Sequence, residues 1–219
     1  MPLRDTLKRS LMPMFAAALL AGCGPHMPCP PKTASATAAP PPPDWHDDIS
    51  DPDHVRLRGW RDSFVLALTQ ARTAGHGAEI DAQGPLLDPD GGADGVALAE
   101  GRYRCRTIKL GTKVDKRSPF IAFPTYDCVV KPSGTIERLS VLGGIQRPTG
   151  RLYPDTPSRM IFLGTMILSD ETKPVKYGRD ADRDLVGALQ KIGNARWRLL
   201  LPNPAWESTM DVMEIVPAG

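Results

Sequence analysis

The spacing of apolar residues predicts one amphipathic helix near the start of the folded part of the chain. Apolar side chains recur there at intervals of three and four, which places them on one helix face. They are Leu57, Trp60, Phe64, Leu68 and Ala71. Asp51-Pro52-Asp53 is typical of a helix start, and Gly75 can end the helix. We expect its apolar stripe to pack on the domain and the helix to plug or cover an open end.

After Gly101 the pattern changes to short β-rich runs separated by turn residues. Seven strands are predicted, at residues 102–109, 121–131, 135–142, 159–168, 185–192, 195–201 and 209–216. Pro132-Ser133-Gly134 and Gly193-Asn194 are typical of hairpin turns. Residues 180–190 also have some helical character, so this element is a strand or a helix. The sequence therefore predicts a mainly β domain with an N-terminal α-helix, in which an antiparallel meander of about seven or eight strands forms a barrel or half-barrel.

The beginning of the chain has the pattern of an export signal. Basic residues precede an uncharged apolar run at 11–20, which is too short to span a bilayer as a helix. Leu20-Ala21-Gly22-Cys23 then resembles a bacterial lipobox. This resemblance implies cleavage after Gly22 and attachment of acyl chains such as palmitate at Cys23. An ordinary signal peptide with an incidental cysteine is the alternative.

The segment after the lipobox is typical of a stalk. Residues 24–44 are rich in Pro, Ala and Thr, a composition that favours extended polyproline II. Gly24 stands where Asp is the usual inner-membrane retention signal of enteric bacteria, so we expect the periplasmic face of the outer membrane. Three parts are predicted: a lipoprotein signal peptide at 1–22, a lipidated stalk at 23–44 and one domain at 45–219.

The cysteines divide by context. Cys105 and Cys128 lie in two predicted strands, and an oxidising periplasm favours a disulfide between them. A redox or metal-binding thiol pair is the alternative, but it lacks C-x-x-C spacing. Cys29 is left over in the stalk, where it pairs with another copy, pairs with a partner or remains a free thiol.

The charge balance and the missing motifs argue against several classes of function. The 219 residues carry 27 Lys+Arg and 25 Asp+Glu, so nucleic acid is not an expected partner. The four His residues all precede Gly77, and G-x-S-x-G, H-E-x-x-H and Walker A motifs are missing. Glu207 and Asp211, with Glu214 beyond, are the acid–base candidates for a hydrolase. The alternative is that these carboxylates face solvent or pair with Arg196 and Arg198. The acidic run 88–94 lacks two key residues of a calcium loop, so we expect no metal and no cofactor.

Arginines are the candidate ligand-binding residues. Arg102, Arg104 and Arg106 alternate along the first predicted strand and therefore share one face. If that face lines the barrel, the interior binds anions; if it faces outward, it is a solvated surface. The possible ligand-binding residues are Arg104, Arg106, Arg147, Arg196 and Arg198.

Several runs together resemble an uncharacterised family of exported bacterial proteins, domain-of-unknown-function family 4893. These runs are residues 101–106, 108–111, 146–148, 196–202 and 207–214. The resemblance covers about 45 to 217 and implies an envelope protein with one domain and no assigned activity. A looser similarity to lipocalin-type barrels implies that Arg196 or Arg198 packs across the ring of Tyr103.

The leading hypothesis is a non-enzymatic, lipid-anchored envelope protein whose β-domain binds a periplasmic protein or a small ligand. An inhibitor of exported proteases is one alternative. An envelope hydrolase that uses Glu207 and Asp211 is the other.

Overall fold

The computed structural model describes residue 41 and residues 43–219. These residues belong to one structural unit, Ala39–Gly219. The predicted signal peptide, Cys23, Cys29 and nearly all of the predicted stalk lie outside the described residues. In the part of the chain that is described, no helix is both long enough and apolar enough to cross a bilayer.

Eight antiparallel strands form a closed barrel in which sequence neighbours pair and the last strand closes on the first. They are β1 Gly101–Leu110, β2 Phe120–Ser133, β3 Ile136–Val141, β4 Gln146–Thr156, β5 Arg159–Leu168, β6 Asp184–Gly193, β7 Arg196–Pro202 and β8 Met210–Pro217. Closure leaves no exposed sheet edge. The predicted mainly β meander is confirmed as a closed barrel, and the ambiguous element at 180–190 belongs largely to a strand.

The strand that the sequence did not predict is β4. Pro148 and Pro154 argue against a strand because proline donates no ladder hydrogen bond. Both prolines pair with β5, but the pairing of β4 with β3 is confined to residues 149–152. At each proline, β4 therefore pairs with β5 but not with β3. The missing N–H interrupts no hydrogen bond between β4 and β3.

The two predicted hairpin turns are present, one of them displaced. Gly134 lies between β2 and β3 with φ 72°, as the Pro132-Ser133-Gly134 motif indicates. The turn between β6 and β7 is Asn194-Ala195 instead of Gly193-Asn194, and Ala195 has φ 50°. Gly193 is the last residue of β6, so the turn begins one residue later than predicted.

The helical part wraps the outside of the barrel. It comprises α1 Trp45–Asp48, α2 Asp51–Arg58, α3 Trp60–Thr73, α4 Gly77–Asp81 and a 3₁₀ turn at Gly84–Leu86. The predicted single helix is thus two helices that meet at Gly59, and Ser50 instead of Asp51 caps the first through the N–H of Asp53. Gly75 follows the second with φ 94°, as predicted.

The prediction that the helix plugs or covers an open end is wrong. Phe64 and Leu68 of α3 pack with Ile108, Leu200 and Val212, which lie on the outer face of β1, β7 and β8. Side chains alternate along a strand, so these residues point away from the interior and form an apolar patch that needs a cover. The helix supplies it on the barrel wall.

One end of the barrel is closed by residues 93–99, here called the closing segment. Val96 and Leu98 are buried with the interior cluster. Trp197 Nε1 donates to the carbonyl of Val96 at 3.0 Å, and Tyr103 Oη donates to the carbonyl of Ala99 at 2.7 Å. The opposite end, where β1–β2, β3–β4, β5–β6 and β7–β8 are connected, is here called the open end.

Candidate functional site

The barrel interior contains a cavity of about 310 Å³ at the open end. Its wall is mostly apolar, with a few polar and charged side chains. The lining residues are Cys105, Thr107, Lys109, Phe123, Tyr126, Val141, Gly144, Ile145, Gln146, Pro148, Met166, Asp211 and Met213. A concave, largely apolar pocket with a few polar groups is the usual form of a small-molecule site.

A buried ion pair forms the polar corner of this cavity. Lys109 of β1 lies opposite Asp211 of β8 in the barrel register. Lys109 Nζ is 2.9 Å from Asp211 Oδ2, and the two side chains are 7% and 2% exposed. The Ser208 hydroxyl donates to Asp211 Oδ1. Buried charges lose hydration, so a corner of this kind requires partners that satisfy each oxygen.

Glu207 extends the corner toward solvent. Its Oε2 is 3.5 Å from Lys109 Nζ, and its Oε1 contacts the guanidinium of Arg117. Burial by itself raises the pKa of Glu207, but the hydrogen bond from Arg117 and the charges of Lys109 and Arg117 hold that pKa below its ordinary value. Glu207 has φ 67°, and its carbonyl accepts a 2.8 Å hydrogen bond from Lys113 N. The β1–β2 and β7–β8 connections are thereby joined at the rim.

Exposed apolar side chains surround the open end. Val114 of the β1–β2 connection is 48% exposed, and Leu142 and Ile145 of the β3–β4 connection are 55% and 69% exposed. Ile145 also lines the cavity. Exposed apolar residues that continue into an apolar cavity indicate an entrance for apolar molecules.

The predicted disulfide is present in the cavity wall. Cys105 of β1 and Cys128 of β2 are bonded, with their Cα atoms 5.9 Å apart. Both residues belong to the interior cluster, and Cys105 lines the cavity. The bond links two adjacent strands directly below the polar corner.

Three of the five predicted ligand-binding arginines form ion pairs on the outer wall. Arg104 Nη1 is 2.8 Å from Asp127. Arg106 and Arg196 contact the two oxygens of Glu214 at 2.9 Å and 2.6 Å. The arginine face of β1 is therefore the outer face, and it does not line the barrel.

The other two arginines hold chain segments in place. Arg147 donates to the carbonyl of Gly144 at 2.8 Å and to carbonyls of the β5–β6 connection. Arg198 is fully buried on the outer wall, donates to the carbonyl of Pro85 at 3.0 Å, and lies 5.6 Å from the ring centre of Phe64. Burial lowers the pKa of Arg198 to about 10. None of the five arginines lines the cavity. Ligand binding by these arginines stays a prediction.

The arrangement expected from lipocalin-type barrels differs here. Tyr103 points into the barrel, whereas Arg196 and Arg198 point outward from β7. The ring of Tyr103 instead meets Trp197 edge-on, with ring centroids 6.1 Å apart. The predicted packing of an arginine across Tyr103 is therefore wrong, because the two lie on opposite sides of the wall.

The predicted acidic candidates separate into different places. Glu207 and Asp211 meet at Lys109, whereas Glu214 lies on the outer wall. In the acidic run 88–94, the carboxylate of Asp88 accepts from the backbone of Asp90. Over residues 41 and 43–219, no cluster of three or more His, Cys, Asp or Glu side chains could hold a metal ion.

The sequence did not single out Lys109. Its signal was periodicity, because Lys109 continues the alternation of Tyr103, Cys105 and Thr107, which the structure directs inward. Asp211 likewise continues the alternation of Met213 and Ile215. Only the register between β1 and β8 makes the two a pair.

Comparison with known proteins identifies a family of unknown function. No curated protein and no solved structure matches this chain. The model of a family described as Domain of unknown function matches residues 45–215, which include every helix of the described part of the chain, β1 to β7, and all but the last two residues of β8. This chain therefore belongs to the Domain of unknown function family DUF4893.

Proposed function

We propose that this protein is a non-enzymatic binding protein of the bacterial envelope that holds a small, mostly apolar molecule in the open end of its barrel. The observation that carries the proposal is the interior cavity of about 310 Å³ with its apolar wall. The exposed Val114, Leu142 and Ile145 at the open end support it, because an apolar ligand can enter along their side chains.

The contents of the two barrel ends support ligand binding in the same way. An eight-stranded barrel is either filled by its own side chains or holds one small ligand. At the closed end, Tyr103 and Trp197 pack in the interior with Val96 and Leu98 of the closing segment. At the open end, a wall that includes the smaller side chains of Thr107, Val141 and Pro148 surrounds a space instead.

Binding is favoured over hydrolysis because the two candidate acid–base carboxylates, Asp211 in the cavity wall and Glu207 beside it, are already engaged. Asp211 accepts from Lys109 and from Ser208, and Glu207 contacts Lys109 and Arg117. A general acid or base must have its proton-transfer site free to reach a substrate. These carboxylates are placed to balance charge.

Native mass spectrometry tests the proposal. The full-length protein is purified from its own cells without added ligand, and we expect an extra mass that leaves on denaturation. Met166→Trp places a larger ring in the cavity and removes this mass, whereas Ile167→Trp, one residue along β5 and outside the lining set, keeps it. A bare wild-type protein, or a mass that persists in Met166→Trp, contradicts the proposal and directs the search to protein partners.

We propose also that Cys23 is acylated and holds the protein at the periplasmic face of the outer membrane. The support is the sequence itself, with its basic start, short apolar run and Leu20-Ala21-Gly22-Cys23. More than one acyl chain gives stable anchoring. Cys23→Ala should lose palmitate labelling and membrane association, while Cys29→Ala keeps both. Membrane association unchanged in Cys23→Ala would refute the anchor.

A further inference from the structure

We infer that the ligand of the open-end cavity is a short amphiphile with an acidic head group, a monocarboxylate of medium chain length, whose head meets Lys109. This inference rests on the proposed function and names the ligand class of the same cavity. Four properties of the site carry it: its volume, the free hydrogen-bonding capacity at Lys109, the charge around Lys109 and the nature of the wall.

The volume limits the ligand. The cavity measures about 310 Å³. A water molecule takes about 30 Å³ of the liquid, so the cavity holds about ten water-sized groups. An unbranched acid with about ten non-hydrogen atoms has this size, whereas a long membrane acyl chain does not fit inside.

Each carboxylate oxygen in the polar corner already has a donor as partner, whereas the ammonium of Lys109 has N–H donors left over. Asp211 uses Oδ2 for Lys109 and Oδ1 for Ser208, and Glu207 has one oxygen toward Lys109 and the other on Arg117. Lys109 Nζ makes a hydrogen bond of 2.9 Å to Asp211, and its contact with Glu207 is longer, at 3.5 Å. An ammonium carries more N–H donors than this single bond uses. The matching ligand group is an acceptor.

The charge around Lys109 favours an anionic acceptor. Lys109, Lys113 and Arg117 are positive, whereas Glu207 and Asp211 are negative. Lys113 Nζ donates to the carbonyl of Pro204, so a carbonyl and not a carboxylate is its hydrogen-bond partner. These five groups together therefore carry one positive charge in excess, and a carboxylate head group at Lys109 would balance it.

The rest of the wall suits an alkyl chain. Val141, Met166 and Met213 line the cavity away from the charged corner, and both methionines are buried. Unbranched thioether side chains adapt to a flexible apolar chain. The exposed Ile145 continues this surface to the entrance. Head group and chain thus have separate places in the cavity.

Calorimetric titration with three probes of one length tests the inference. The probes are octanoate, 1-octanol and octylamine, added to the full-length protein in lipid nanodiscs, with protein-free nanodiscs as the blank. Octanoate should bind about tenfold or more tightly than 1-octanol, the ratio for one charge-assisted hydrogen bond. The variant Lys109→Gln/Asp211→Asn keeps polar partners of similar shape and should lose this preference.

The matched control is Arg104→Gln/Asp127→Asn, which removes an ion pair from the outer wall and should keep the octanoate preference. Equal affinity for octanoate and 1-octanol, with both lost in Met166→Trp, overturns the acidic head group but leaves the proposed function intact. Preference for octylamine overturns the acceptor argument. No binding of any probe overturns the ligand class, and the native mass of the purified protein then decides the proposed function separately.

Discussion

The outer wall of β7 and the inner wall of β1 each bury one cation and satisfy it differently. Arg198 on the outer wall donates to the carbonyls of Pro85 and Leu86 and to the side chain of Gln190. Lys109 on the inner wall faces Asp211, and the cavity adjoins it. The planar guanidinium fits several fixed acceptors at once, whereas a lysine ammonium is a point charge on a flexible stem.

The difference separates a structural cation from a binding one. Apart from Gln190, the acceptors of Arg198 are backbone carbonyls of the segment before the barrel, so the residue fastens that segment to the outer wall. The partner of Lys109 is a side chain, and its other N–H groups border a space. Burial depth alone therefore does not distinguish the two roles; the identity and number of acceptors do.

The largest effect is expected at Arg198. Arg198→Ala removes the charged donor and leaves several buried carbonyls without partners, so we expect a loss of about 3 to 5 kcal/mol in the free energy of unfolding. Arg196→Ala on the same strand breaks a partly exposed ion pair and should cost less than about 1 kcal/mol. Urea unfolding measures both. Similar losses for the two variants would contradict a fastening role for Arg198.

The disulfide gives the next effect. Cys105→Ala/Cys128→Ala should lower the free energy of unfolding by about 3 kcal/mol, because the bond closes a loop with a sequence separation of 23. Reductant should destabilise the wild type and leave this variant unchanged, as followed by thermal unfolding. Cys29→Ala serves as the control and should behave as wild type. If complete reduction of the Cys105–Cys128 bond leaves the thermal unfolding of the wild type unchanged, the disulfide does not stabilise the fold.

A smaller effect is expected where the Lys109–Asp211 pair is replaced as a whole. Lys109→Met/Asp211→Leu should unfold within about 1 kcal/mol of wild type, because two well-packed apolar side chains can replace a buried ion pair. Lys109→Met alone leaves Asp211 without its cation and should be clearly less stable. Chemical denaturation of the three proteins measures this difference. If the double variant is as unstable as the single one, the pair is structural and the contrast with Arg198 fails.

The smallest expected effect is the contribution of Glu207 to the loss of stability at acid pH. The folded-state pKa of Glu207 lies below its ordinary value of 4.5, so its contribution to stability is complete above that pH and is lost as pH falls through the lower folded-state value. Glu207→Gln should reduce the acid-dependent loss of stability by less than about 1 kcal/mol. Thermal unfolding from pH 6 to about pH 3 measures it, with the exposed Glu100→Gln as control. An unchanged profile in Glu207→Gln would contradict the assignment.

Much of the fold could be predicted from the sequence because strand alternation and turn residues are local signals. Seven strands were located from them, and the same alternation put Cys105 and Cys128 in strands. The sequence did not predict β4 because Pro148 and Pro154 argue against a strand. A proline is unfavourable only where its strand pairs with a second strand on its N–H side, and which strands pair at each residue depends on the barrel. The break at Gly59 was missed because the apolar spacing continues through it.

The candidate site was less predictable. The arginines were chosen for their charge, and the structure places Arg104 and Arg106 on the outer wall. Lys109 has the periodicity of an inward residue, but periodicity assigns two faces without stating which one is inside. That decision depends on which apolar face the helices cover, and this is a contact between distant parts of the chain.

The sequence by itself determined which residues resemble the family, the mainly β architecture and the two opposite faces of each strand. Residues close together in the sequence carry these signals. The tertiary structure alone decided which face is interior, which end is open and which charges meet. Lys109 and Asp211 are separated by 102 positions in the sequence and become partners only through the register that closes β8 on β1. A cavity is a space between such distant strands, so no local pattern encodes it.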